Sequence, residues 1–193
     1  AFGQLALFGD VRGDHQQVRP SLHVDVRDRG AGPEGFAAGA QQHRLQVAPV
    51  VADAVGVAGA VLQWLALGLI DIDNFKKLND SLGHAAGDVA LQSLAARVKE
   101  WLRPVDHIAR FGGEEFVLLL PGTPVDEAQQ VLTRLQRRLS ASLFMHEGQE
   151  VFVTFSAGVT AWRPGETVEA ALARADEGLY EAKRTGKNRT CVA

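Results

Sequence analysis

Two adjacent glycines, Gly112 and Gly113, stand between two short apolar runs, and this arrangement constrains the fold more than any other part of the chain. The runs cover residues 108–111 and 116–120. Apolar runs of this length on either side of a glycine turn predict an antiparallel hairpin. We expect the glycines to provide a positive φ or room for a ligand to approach the backbone.

From residue 65 onward, apolar runs alternate with amphipathic stretches. The run 65–70 ends in Asp71 and predicts a buried strand. Further strands are predicted at 151–159 and 188–192. Helices are predicted at 74–82, 84–102, 123–139 (with Thr123 as its cap and Pro124 at its first position) and 167–183. This order predicts an α/β (α+β) fold with a mixed sheet and helices on its faces.

The 193 residues are expected to form one domain, 65–193, preceded by an atypical segment, 1–64. Residues 19–39 mix charges with Gly and Pro and predict loop or disorder. Residues 54–70 carry no charge, but this stretch is short for a membrane span and its end is needed for the first strand. A secretory signal is not expected, because no basic region precedes an apolar core at the N-terminus.

The composition excludes several classes of protein. A single cysteine, Cys191, excludes a disulfide scaffold and a cysteine-based zinc site. A net charge of −3 excludes a strongly basic nucleic-acid module, and no nucleic-acid partner is expected. Residues 1–69 contain no Lys, Asn, Ile, Met, Thr, Tyr or Cys, so the composition changes close to Ile70.

Acidic residues follow the predicted strand ends. Asp71 and Asp73 come at the end of the first strand, where ligands bind in open α/β sheets. The simpler interpretation makes Asp73 a helix N-cap. Glu114 and Glu115 follow the glycine pair and, in a regular strand, would point to opposite faces. If the two segments pair, Asp71, Glu114 and Glu115 form a carboxylate cluster suited to Mg²⁺ on phosphates.

Five segments stand in the order and spacing of the GGDEF diguanylate cyclases, and the resemblance covers about residues 65–192. They are 71–80 (DIDNFKKLND), 82–88 (LGHAAGD), 110–116 (RFGGEEF), 156–159 (SAGV) and 175–188 (ADEGLYEAKRTGKN). The resemblance implies a palm-like domain with a mixed, mainly antiparallel sheet. It also implies a cytoplasmic enzyme that joins two GTP molecules into cyclic di-GMP and releases pyrophosphate, with Mg²⁺ or Mn²⁺ as cofactor.

The resemblance also assigns roles to individual residues. Asp71, Glu115 and the Ile72 carbonyl look like metal ligands, and Glu114 looks like the residue that binds metal and promotes deprotonation of the 3′-hydroxyl. Asn79 and Asp88 resemble the guanine readers, with His84 in the same nucleotide-binding stretch. Four further residues resemble the family's contacts to the phosphates: Phe75, Lys76, Lys183 and Lys187. For the two lysines, the simpler interpretation is a positive charge that stabilises a helix C-terminus.

An inhibitory site for the product is implied as well. Arg103 and Asp106 stand at the spacing of the family's RxxD motif, ahead of Gly112. Arg134, on the next predicted helix, resembles the secondary arginine of that site. An arginine can fork onto a phosphate or guanine edge while an aspartate accepts the guanine donors.

The chain departs from the family at its N-terminal end. The usual D-x-L-T-G-L-x-N-R-R motif, about 40 residues before the Asp71 strand, is absent from residues 1–64. A divergent segment from a GC-rich genome and a segment translated in the wrong frame both explain the composition there. The alternative function is therefore a catalytically impaired domain that binds GTP or cyclic di-GMP. A third possibility, a palm-type transferase for another nucleotide, is disfavoured by Asn79 and Asp88.

Joining two GTP molecules takes two half-sites, so we expect turnover to require a homodimer. The sequence shows no sensor or coiled coil, and a membrane connection is expected only through a missing upstream region.

Overall fold

The run after residue 64 forms the central strand of a sheet. In a computed structural model that describes residues 64–193, this strand, β1, spans Leu65–Ile72 and all of its residues are buried. The predictions for 1–63, the loop at 19–39 and the domain boundary among them, lie outside the described residues.

The strands of the main sheet are arranged around β1. On one side β1 pairs antiparallel with β3, Glu115–Pro121, and on the other with β6, Phe155–Ala161. At the edges, β2 (His107–Arg110) runs antiparallel to β3, and β7 (Thr190–Val192) runs parallel to β6. The sheet order β2-β3-β1-β6-β7 confirms the predicted mixed, mainly antiparallel sheet.

Alternation along β1 separates two apolar layers. Ile70 and Ile72 pack with the helices α1 (Phe75–Leu82), α2 (His84–Trp101) and α3 (Val125–Ser140). Leu67 and Leu69 point to the other face, where α4 (Val168–Arg184) packs. Because Asp71 continues the odd-numbered series, its side chain belongs to the α4 face. The position of α4 therefore determines which side chains contact Asp71 at the end of β1.

Two local predictions are wrong. The strand expected at 151–159 is instead β5 (Gln149–Val151), which forms a small hairpin with β4 (Phe144–His146), followed by β6. Phe152, between β5 and β6, is 65% exposed and outside any strand. At α3, Pro124 is the N-cap rather than the first helical residue, and Thr123 does not cap the helix. The Thr123 hydroxyl donates instead to the Pro121 carbonyl.

Within residues 64–193, none of the helices combines the length and the apolar character needed to cross a bilayer.

Candidate functional site

The site is built at the end of β1, where Asp71 lies opposite Glu115 of β3 and Ser156 of β6. Asp71 is 6% exposed, and Lys183 of α4 places its Nζ 2.8 Å from Asp71 Oδ2. Burial raises the pKa of Asp71, as does neighbouring Asp73, while the hydrogen bond from Lys183 acts in the opposite direction. The carboxylate therefore lies in a position where a positive charge strongly stabilises it.

Glu114 lies in the turn ahead of β3 rather than in the strand, so strand alternation does not separate it from Glu115. Its pKa is raised, first by burial and then by the charges of Asp71 and Glu115, while Lys183 lowers it. The turn thus brings Glu114 within electrostatic range of both acids.

The glycine turn differs from its prediction. Neither Gly112 nor Gly113 has a positive φ. A Cβ on Gly112 would lie 2.9 Å from Glu115 Oε2, so the missing side chain makes room for the Glu115 carboxylate. The Phe111 amide donates to the Glu115 carbonyl at 2.8 Å, and the Arg110 guanidinium donates to the Gly113 carbonyl at 2.6 Å. The conformation of the hairpin therefore helps to position Glu115.

The donor set suits a hard divalent cation. Asp71, Glu114, Glu115 and the Ile72 carbonyl offer only oxygen atoms, the ligands that Mg²⁺ and Mn²⁺ prefer. Asp73 raises the pKa of Asp71, and Asp71 and Glu115 raise that of Glu114, so a bound cation would relieve repulsion at this site. In the part of the chain described here, no three Asp, Glu, His or Cys side chains converge closely enough to hold a metal as they stand. Asp71 is paired with Lys183 in this arrangement.

The two predicted phosphate lysines come to the same end of β1 by different routes. Lys183 lies in the last turn of α4, whereas Lys187 lies beyond the helix, with a φ of 62°. Lys187 Nζ donates to Asn74 Oδ1 at 2.6 Å. Both lysines therefore contact residues of the 71–74 segment, and Lys183 also lies where a positive charge stabilises a helix C-terminus.

The α1–α2 corner holds the predicted nucleotide-binding residues. Asn79 packs over Gly87, and its Oδ1 is buried without a hydrogen-bond partner among residues 64–193. Asp88 and His84 are exposed on the first turns of α2, as is Lys76 on α1. Phe75 is 8% exposed and packs in the apolar core, so only its backbone is available for a phosphate contact.

The sequence analysis did not predict the buried polar network around Asp73. The N-cap of α1 is Asn74, with a φ of 58° and no side-chain cap hydrogen bond, so the N-cap interpretation of Asp73 is wrong. The Asp73 carboxylate instead accepts hydrogen bonds from Thr154 Oγ1, Ser156 Oγ and the Asn188 amide. The polar type of residues 154, 156 and 188 was the only available signal.

The predicted inhibitory residues lie apart from the acids. Arg103 donates from Nη2 to Asp106 Oδ1 and to Thr123 Oγ1, both at 2.7 Å. The Arg103 side chain is 54% exposed and that of Asp106 is 3% exposed. Because of this pairing, the pKa of Arg103 is raised, mainly by the hydrogen bond to Asp106. Arg134 lies exposed on α3.

Comparisons with known proteins agree with this geometry. The family model described as diguanylate cyclase, GGDEF domain, matches residues 58–189. The chain is 47% identical over 129 residues to diguanylate cyclase DgcP of Pseudomonas aeruginosa, which covers 67% of this chain and 19% of that protein. It is 46% identical over 123 residues to the response regulator PleD of Caulobacter vibrioides, covering 62% and 27%. The chain thus spans less than a third of the length of these two relatives.

Solved structures share the fold. The GGDEF domain of DgcB from Caulobacter crescentus in complex with c-di-GMP has a TM-score of 0.71 at 28% identity, over 77% of this chain and 89% of that one. The active GGEEF domain of a diguanylate cyclase from Vibrio cholerae has a TM-score of 0.69 at 32% identity, over 77% and 95%. These likenesses confirm the fold and the resemblance predicted from the sequence.

Proposed function

This chain belongs to the GGDEF domain family, and on that premise we propose that it is a diguanylate cyclase that condenses two GTP molecules into cyclic di-GMP. The observation that carries the proposal is the cross-strand pair of Asp71 and Glu115, with Lys183 2.8 Å from Asp71. Two acids next to one lysine, with Lys187 held nearby by Asn74, form a site for a nucleoside triphosphate and its counter-ion. We place the activity in the cytoplasm, where GTP is available.

Asp71, Glu114, Glu115 and the Ile72 carbonyl would hold Mg²⁺ or Mn²⁺, which supplies positive charge to the phosphates and to the attacking oxygen. In each half-reaction the 3′-oxygen of one GTP attacks the α-phosphorus of the other, and pyrophosphate leaves. Glu114 takes the proton of the 3′-hydroxyl, a role that suits a carboxyl whose pKa is raised by burial and by Asp71. Lys183 and Lys187 hold phosphate oxygens, so Lys183, which pairs with Asp71 in this structure, pairs with the substrate instead.

Guanine is read at the α1–α2 corner. The buried Asn79 Oδ1 has no partner among the described residues, so it offers an acceptor to a donor on the base. The exposed Asp88 carboxylate offers a second acceptor. Two acceptors favour guanine, whose N1–H and amino group both donate, over adenine.

The direct test is turnover of the purified chain with GTP and Mg²⁺, with cyclic di-GMP quantified by chromatography and mass spectrometry. Glu115→Ala is expected to abolish product formation, because the site loses an oxygen ligand at its centre. Glu150→Ala, at an exposed position of β5, is the matched control and should retain wild-type turnover. A Glu115→Ala variant with wild-type turnover would contradict the assignment of Glu115.

A second candidate function is binding without catalysis. The absence of the family's usual N-terminal motif from residues 1–64 favours it. GTP or cyclic di-GMP binding by calorimetry, together with no product over hours, would select this function and reject the enzyme.

We further propose that cyclic di-GMP inhibits the enzyme at Arg103, Asp106 and Arg134. The exposed Arg103 guanidinium is already oriented by Asp106 and Thr123, which suits a fork onto a phosphate or a guanine edge. Arg103→Ala should abolish inhibition by added product, measured as the rate of pyrophosphate release against cyclic di-GMP concentration. Inhibition that persists unchanged in Arg103→Ala would remove this part of the proposal.

The proposal includes a homodimer, since each chain supplies one half-site. The specific activity should therefore rise with protein concentration until dimerisation is complete, and sedimentation should report the same midpoint.

A further inference from the structure

Asp73 connects two distant parts of the chain. Its residue is 9% exposed, and its Oδ2 accepts from Thr154 Oγ1 at 2.8 Å and from the Asn188 amide at 3.0 Å. Its Oδ1 accepts from Ser156 Oγ at 2.6 Å. The end of β1 is thereby tied both to β6 and to the turn between α4 and β7.

That turn has a backbone that needs support. Lys187 and Asn188 have φ values of 62° and 46°, in the left-handed region that side-chain-bearing residues seldom adopt. The Lys187 amide donates to the Ala182 carbonyl at 3.0 Å, and Ser140 Oγ donates to Asn188 Oδ1 at 3.3 Å. Among the bonds to Asn188, the one to Asp73 is charge-assisted and the one to Ser140 is longer and exposed.

The turn places a cation at the site. With the backbone held in this conformation, Lys187 Nζ lies 2.6 Å from Asn74 Oδ1, next to the segment that carries Asp71. We propose that Asp73 is a positioning residue that holds Lys187 where it meets the phosphates of GTP. The inference rests on the proposed function, because it takes Lys187 to contact the substrate.

Kinetics test whether Asp73 acts through Lys187. Asp73→Ala is expected to raise the KM for GTP about tenfold, with a smaller change in kcat. In a Lys187→Ala background, adding Asp73→Ala should leave the KM nearly unaltered, because the lysine that Asp73 positions is no longer present. Ser140→Ala, which removes the exposed bond to the same turn, is the matched control and should keep the wild-type KM.

Asp73→Asn keeps the proposal testable if Asp73→Ala does not fold. The amide has the same shape and retains an oxygen for the Asn188 amide but carries no charge. We expect about a threefold rise in KM, absent in the Lys187→Ala background. An equal rise in both backgrounds would assign Asp73 a general structural role and overturn the proposal.

Hydrogen exchange separates this inference from the proposed function. The Asn188 amide should be protected in the wild-type chain and should exchange about tenfold faster in Asp73→Ala, and measurably faster in Asp73→Asn, whether or not the protein turns over GTP. If the wild-type chain makes no product, the same comparison of variants uses the GTP dissociation constant in place of KM. An unchanged exchange rate at Asn188 in both Asp73 variants would refute the positioning role.

Discussion

Substituting Gly87 by alanine is expected to damage guanine recognition while leaving the fold intact. Gly87 is buried in the first turns of α2, and a Cβ there would lie 1.9 Å from Asn79 Oδ1 and 3.1 Å from Phe75 Cζ. Ordinary contact begins at 3.4 Å, so the Asn79 amide has to move by about 1.5 Å (3.4 minus 1.9). The side chain of Asn79 is flexible enough to do so.

A displacement of that size breaks a hydrogen bond, whose useful range is only about 0.5 Å wide. Losing one such bond to the base costs about 1 kcal/mol, or roughly a fivefold rise in the KM for GTP. Stability should change little, because alanine gains about 1 kcal/mol of helix propensity over glycine, which offsets the contact with Phe75. We therefore expect a Tm within a few degrees of wild type.

The assay compares kcat/KM for GTP and ATP in wild type, Gly87→Ala and Asn79→Ala. Both variants should lower the GTP to ATP ratio, and the double variant should be no worse than Asn79→Ala alone. Ala96→Gly, at an exposed position of the same helix, controls for helix propensity and should leave the ratio unchanged. If Gly87→Ala retains the wild-type KM and ratio, the Asn79 side chain does not read the base.

Two further predictions concern stability. Gly158→Ala should lower the free energy of unfolding by about 3 kcal/mol or more in urea titrations. The added Cβ would lie 1.8 Å from the Ala175 carbonyl oxygen, a backbone atom that cannot rotate away. A wild-type urea midpoint would contradict this packing. The hydrogen bond from Arg174 holds the pKa of Glu166 below its ordinary value of 4.5, so this carboxylate's contribution to stability is complete above about pH 5 and is lost as the pH falls through the lowered pKa. The Tm of wild type should accordingly fall more steeply between about pH 5 and pH 3 than that of Glu166→Gln, and parallel Tm curves would contradict the role of the pair.

The sheet was predictable because its strands carry their own signals. The apolar run 65–70 and the hairpin around Gly112 are long enough for alternation and turn chemistry to mark them, and the structure confirms both. The β4–β5 hairpin has strands of three residues, with the exposed Met145 opposite the charged Glu150. Strands of three residues are too short for alternation to be detected, so the sequence analysis predicted no hairpin there and began the next strand at Val151.

Of the two roles predicted for the glycine pair, the positive φ was wrong and the close approach of a ligand stays a prediction. Glycine pairs between strands usually provide a positive φ, and the turn prediction followed that rule. Here a Cβ at 112 would lie 2.9 Å from Glu115 Oε2, so the carboxylate of Glu115, three residues further on, would have to shift. The contact depends on where the Glu115 side chain lies once β3 has paired with β1, which is a property of the assembled sheet and not of the local sequence.

The contacts that complete the site join residues far apart in the chain. Asp73 and Asn188 are 115 positions apart, and Lys187 and Asn74 are 113 apart. Periodicity identifies the strand before Asp71 and the helix that carries Lys183, but only the packing of that helix on the sheet brings the two side chains together. Family resemblance assigned Asp71 to metal and Lys183 to phosphate as separate roles, and it gave no indication that they pair directly.

That pairing bears on how the site works. Burial and repulsion from neighbouring carboxylates raise the pKa values of Asp71 and Glu114, so this end of the sheet favours any arrangement that adds positive charge. Lys183 adds one charge, next to Asp71, while Glu114 lies within electrostatic range of both Asp71 and Glu115. A nucleotide that arrives with a divalent cation brings both the charge that the acids need and the phosphates that release Lys183 from Asp71. Cation binding to the acids and the transfer of Lys183 from Asp71 to the phosphates each make the other more favourable. Nucleotide and cation should therefore bind cooperatively, and neither should bind tightly alone.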